Sequence, residues 1–139
     1  MLDYLEYKCK NLKLKNYTIF KGIMEDYKSN EKVDLITAGQ VLHHIEDLQS
    51  LFNCFLSIMK PNSYLCISDL KKDAPMFNLL SHHHIMPYKG FEPGELCKEL
   101  EKAGFVKIEV KPAMSIIYQD KEGKDVVSER FMIFAQSPE

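Results

Sequence analysis

Arginine is almost missing from this sequence: Arg130 is the only one among 18 basic residues. Bidentate clamping of phosphate or carboxylate, which needs the planar guanidinium fork, is therefore not a theme of the chain. Net charge is −2 at neutral pH, so there is no positive field for nucleic acid or an anionic membrane surface. No apolar run approaches the ~18 residues of a membrane span. Asp3 and Glu6 interrupt any early run that would serve as a signal peptide. Cys9, Cys54, Cys66 and Cys97 show no C-x-x-C and no metal-ligand spacing. Each lies in an apolar pattern and reads as a buried free thiol, which implies a reduced, cytoplasmic compartment. The six glycines, at 22, 39, 90, 94, 104 and 123, contain no G-x-G.

What is present is an ordinary globular mixture, 45% hydrophobic and 27% charged. A chain of 139 residues suits one domain, residues 1–139, able to bury roughly 68% of its unfolded surface. Helical and strand patterns alternate along it. Leu2, Leu5, Cys9 and Leu12 share one face of a helix over residues 1–14. Tyr17 to Lys21 reads as a short strand ended by Gly22, and Val33 to Thr37 as a buried parallel strand. Residues 46–59 carry Leu48, Leu51, Phe52, Phe55, Leu56 and Met59 at helical spacing, with Pro61 as the stop. Tyr64 to Ser68 is the next strand. Residues 93–103 form a helix opened by Pro93 and capped by Gly104. Val106, Ile108 and Val110 alternate with charged residues in a half-exposed strand, and a turn at Glu122-Gly123 leads to a last strand, Arg130 to Ala135. This order indicates an α/β domain with a mostly parallel sheet closed by a C-terminal antiparallel hairpin.

The runs Val33-Asp34-Leu35-Ile36, Val41-Leu42-His43-His44-Ile45-Glu46-Asp47, Met59-Lys60-Pro61 and Leu65-x-Ile67-x-Asp69 stand in a telling order. With Gly90-Phe91-x-Pro93-x-Glu95-Leu96 and Leu100-x-x-Ala103-Gly104-Phe105, they resemble class I methyltransferases of the small-molecule, UbiE-like type, which depend on S-adenosylmethionine. The resemblance covers essentially the whole chain. It implies a truncated Rossmann-like sheet with the family's strands 3, 4, 5, 7 and 6 retained. It also places the glycine-rich turn after strand 1 and the ribose-binding acid of strand 2 upstream of Met1. Ligands of open α/β sheets sit at the carboxyl ends of strands, at the switch in strand order.

From that resemblance, Gly22, Ile23 and Met24 after strand 3, and Ala38, Gly39 and Gln40 after strand 4, are the candidate contacts to S-adenosylmethionine. The family's Gly-Asp after strand 3 is here Gly22-Ile23, so the carboxylate for the adenine amino group is absent. Glu25 or Asp26 would have to replace it, and their spacing argues against that. His43 and His44 are candidate general bases, since imidazole titrates near neutral pH; a helix-capping role is the alternative. The triplet His82-His83-His84 invites a metal reading, but consecutive residues rarely converge on one ion.

Three functions follow. The first is methyl transfer to a small-molecule acceptor, impaired in this chain alone. The second is a non-catalytic, methyltransferase-like partner subunit. The third is a metal-binding module built on the histidines. Loss of central strands exposes sheet edges, so self-association or a complementing N-terminal fragment is expected.

Overall fold

The computed structural model describes residues 1–76 and 86–139. Helix α1 (Leu2–Asn11) is followed by a 3-10 turn, Met24–Asp26, and strand β1 (Val33–Gly39). A second 3-10 turn, Leu42–His44, leads into α2 (Leu48–Ile58) and β2 (Met59–Leu70). Then come α3 (Pro93–Ala103), β3 (Val106–Pro112), a ribbon of β4 (Ile116–Gln119) and β5 (Asp125–Ser128), and β6 (Arg130–Gln136). The main sheet has the order β1-β2-β6-β3. β1 runs parallel to β2, and β6 is antiparallel to both of its neighbours.

Local chemistry sets most of these boundaries. Asp47 caps α2, its carboxylate accepting the Ser50 N–H at 2.9 Å, and such a cap is worth about 1 kcal/mol. α3 begins at Pro93 and ends at Gly104, whose φ of 109° is the left-handed cap that favours glycine. The inner faces of α2 and α3 meet the alternating inner residues of β2 (Leu65, Ile67) and β6 (Phe131, Ile133, Ala135), all buried. Phe52 is fully buried at the centre, edge-on to Phe105 at 6.2 Å. Its truncation to alanine would cost about 3–5 kcal/mol.

The α/β class holds, and β1-β2-β6-β3 is the expected 4-5-7-6 half of the family's strand order. Several details differ from the sequence reading, among them the shorter α1 and the start of β2 already at Met59, which was read as helical. Tyr17–Lys21 joins no ladder among the described residues. An extended segment becomes a strand only beside a partner, and this one does not reach β1. It is instead tied to α1 by Lys21, which donates to Asp3 at 2.5 Å and to Glu6 at 3.4 Å. β1 is an edge strand with Leu35 55% exposed, not a buried one. Finally, β3 carries a bulge between Val106 and Glu109, with Lys107 at φ 50°. The extra residue pairs Val106 with Gln136, on the face away from Ile133, and so breaks the strict alternation.

Candidate functional site

The residue after β1, Gln40, adopts φ 56° and turns the chain across the sheet's carboxyl end. Its backbone N–H donates to Ser68 O at 2.8 Å, and its side-chain amide reaches the same oxygen at 3.3 Å. That turn leaves Ala38 and Gly39 at the floor of a cleft of about 900 Å³. The segment Phe20 to Glu25 also lines it, as do Leu51, Phe55 and Ile58 along α2. A Cβ placed on Gly39 would meet nothing within 4 Å, so the backbone there faces open space. Ile23, 62% exposed, and Met24 supply apolar surface. Glu25 lies along the same wall.

Of the eight sequence-derived site residues, Gly22, Ile23, Met24, Ala38, Gly39 and His44 line this cleft. Gln40 points its amide toward β2 instead. The two neighbouring histidines part company. His44 is exposed at the cleft, whereas His43 is buried at 3% exposure. The His43 ring places Nδ1 within hydrogen-bond distance of Asp69 Oδ1, at 2.7 Å. Asp69, which sequence reasoning noted only as a motif residue, is fully buried at the end of β2. Neither histidine caps α2, because Asp47 does.

A second cavity, of about 680 Å³, shares Glu46 and Asp47 with the first and is walled by Tyr88, Phe91 and the start of α3. Burial pushes the Cys66 thiol up, and burial with the Glu101 charge pushes Cys97 up, which disfavours the thiolate at both. Among the described residues, no group of three or more His, Cys, Asp or Glu side chains is placed to hold a metal ion. The triplet His82-His83-His84 lies outside the described residues. No helix among the described residues is long and apolar enough to cross a membrane.

The cleft's volume, open glycine floor and apolar wall fit a purine nucleoside with a thioether or sulfonium tail, with Glu25, Glu46 and Asp47 as acidic groups on its lining. The polar anchoring it offers is sparse.

A family profile described as a methyltransferase domain matches residues 7–110. The chain is 32% identical over 65 residues to (S)-coclaurine N-methyltransferase of Papaver somniferum. That match takes in 47% of this chain and 18% of the plant enzyme, so it spans less than a fifth of the relative's length. Among solved structures, the YcgJ protein of Bacillus subtilis superposes with a TM-score of 0.69 at 11% identity, over 100% of this chain and 79% of that one. An S-adenosylmethionine-dependent methyltransferase of Aquifex aeolicus gives 0.63 at 20% identity, over 97% and 62%. At these identities the two structures speak for the fold alone.

Proposed function

Since the chain belongs to the methyltransferase-domain family, we propose that it forms the carboxyl-terminal side of a class I, S-adenosylmethionine-dependent site that methylates a small molecule. The observation that carries this reading is the single cleft joining Gly22–Glu25 to Ala38–Gly39 at the carboxyl end of β1, where ligands of open α/β sheets bind. When bound, the cofactor supplies an electrophilic methyl: the acceptor's lone pair forms the new bond to carbon, the C–S pair returns to sulfur, and the acceptor's proton leaves to a base. Ile23 and Met24 would pack against the base, Gly39 would let the ligand approach the backbone, and Glu25 would accept from its polar edge. His44, exposed on the cleft, is the imidazole that takes the proton. The name of the plant relative favours a nitrogen acceptor.

Affinity of the chain alone is weak in this reading. A hydrogen bond to a charged group is worth about 1.5–3 kcal/mol, and the carboxylate expected directly after Gly22 is replaced by Ile23. A complementing N-terminal fragment, or a second copy of the chain, would cover the β1 edge and restore binding. A cytoplasmic location belongs to the same reading, supported by the four free thiols. Calorimetric titration of S-adenosylmethionine tests it. A Kd on the order of 10⁻⁴ M or weaker is expected, and micromolar binding would contradict the claim of weakened anchors.

The exposed Ile23 also favours a second reading, a non-catalytic partner subunit with the same fold. Methyl transfer by the chain to any amine would exclude it.

A further inference from the structure

Asp69 breaks a pattern. The inner face of β2 carries Leu65 and Ile67, both fully buried, and Asp69 follows them on the same face at 0% exposure. Its Oδ1 accepts from His43 Nδ1 at 2.7 Å and from the Leu70 N–H at 2.7 Å. Its Oδ2 is buried and finds no hydrogen-bond partner among the described residues. A buried carboxylate with one unsatisfied oxygen is costly, and an apolar residue in its place would pack without that cost. Folding alone therefore does not account for it.

The bond to His43 does. A carboxylate can only accept, so His43 carries its proton on Nδ1 and its ring is fixed in rotation. The His43 ring in turn lies against that of His44, centroids 4.2 Å apart with the planes inclined at 45°. Tyr88 N–H donates to His43 O at 3.4 Å and holds the same turn from the other side. His44 stands at the cleft.

The geometry points to Asp69 as a positioning residue: through His43 it sets the orientation of the His44 imidazole on the cleft. This inference rests on the methyl-transfer reading for its purpose, but not for its test. Asp69→Asn keeps the shape and one acceptor oxygen, and adds an amide that can donate to Nδ1. It therefore favours the Nε2–H form of His43.

The experiment records long-range ¹H–¹⁵N spectra of the histidine rings of the full chain and of D69N, with and without S-adenosylhomocysteine. His43→Asn and His44→Gln assign the signals. In the unsubstituted chain, His43 shows a protonated Nδ1, and the ligand shifts the His44 ring. In D69N, His43 moves to the Nε2–H form, and the ligand-induced shift of His44 falls to half or less, while backbone amides of α2 and α3 keep their positions. Should transfer be measurable with (S)-coclaurine as probe acceptor, D69N lowers kcat about 10- to 100-fold, as expected for a displaced group, and leaves KM for the cofactor within twofold.

A His43 found in the Nε2–H form in the unsubstituted chain overturns the proposal, even if D69N fails to fold. So does a D69N spectrum with His43 and His44 unchanged. A ligand that shifts no residue overturns the methyl-transfer reading instead, and the tautomer comparison then decides the role of Asp69 alone.

Discussion

Gly90→Ala should destabilise the chain far more than its size suggests. Gly90 has φ 81°, and a Cβ built there would lie 2.2 Å from Lys71 O, 2.7 Å from Lys71 C and 2.8 Å from Leu70 O. All three are backbone atoms, so no side chain can swing aside. The glycine sits in a short strap that the end of β2 holds by three backbone bonds. These run from Phe91 N to Leu70 O at 3.0 Å, Lys72 N to Phe91 O at 3.0 Å, and Asp73 N to Lys89 O at 2.8 Å. If the strap stays, alanine in the left-handed region costs about 1–2 kcal/mol and the overpacking about 1–3 kcal/mol more. If it lifts, the three bonds are lost at about 1 kcal/mol each, together with the burial of Phe91 at about 1.5–3 kcal/mol. Either route gives a loss on the order of 2–6 kcal/mol. At about 3–4 °C per kcal/mol for a chain of this size, thermal unfolding followed by circular dichroism should show Tm lowered by roughly 6–24 °C. Gly94→Ala is the control: a Cβ there meets nothing within 4 Å, the position is helical, and alanine should stabilise by up to about 1 kcal/mol. A Gly90→Ala protein melting within about 2 °C of the original would refute the argument from close approach.

Ile23→Asp restores a carboxylate directly after Gly22. Because the site is 62% exposed, solvent screens the gain, and calorimetry should show S-adenosylhomocysteine binding tightened about 3- to 10-fold; unchanged affinity would show that the cofactor's base lies elsewhere. Acid should release α1 from Tyr17–Lys21. The Lys21 hydrogen bond and charge hold the Asp3 carboxyl below its usual range, and Lys10 first and Lys21 second do the same for Glu6. Folded values below the unfolded ones mean that this stabilisation is present above the ordinary carboxylate range and is lost as pH falls through the depressed values. Amide shifts of α1 should therefore change below about pH 4, and earlier in high salt; shifts that stay flat to pH 2 would contradict it.

The parts of the fold that were legible in the sequence are those fixed by local chemistry. α3 runs from Pro93 to Ala103 as read, because a first-turn proline and a left-handed glycine mark its ends. The core face of α2 follows from its helical period alone. What was not legible depends on partners distant in sequence. Tyr17–Lys21 has strand-like residues but pairs with no strand among the described residues, and the bulge at Lys107 shows only against β6. β4 and β5 flank a turn that the sequence did show, where Asp120 Oδ1 accepts from the N–H groups of Glu122 and Lys124.

The site divides in the same way. The glycines and the two histidines stood out by resemblance. The separation of His43 from His44, and the pairing of His43 with Asp69 across 26 positions, needed the packed β-strand ends. Glu25 lines the cleft from the 3-10 turn at Met24–Asp26, which linear spacing did not reveal.

Titrating S-adenosylhomocysteine into the ¹⁵N-labelled chain and following backbone amides tests the cofactor cleft most directly. Shifts should concentrate at Ile23, Met24, Ala38, Gly39, Gln40 and His44, with half-saturation on the order of 10⁻⁴ M or above. Shifts confined to the second cavity around Tyr88 and Phe91, or none at millimolar ligand, would contradict the account.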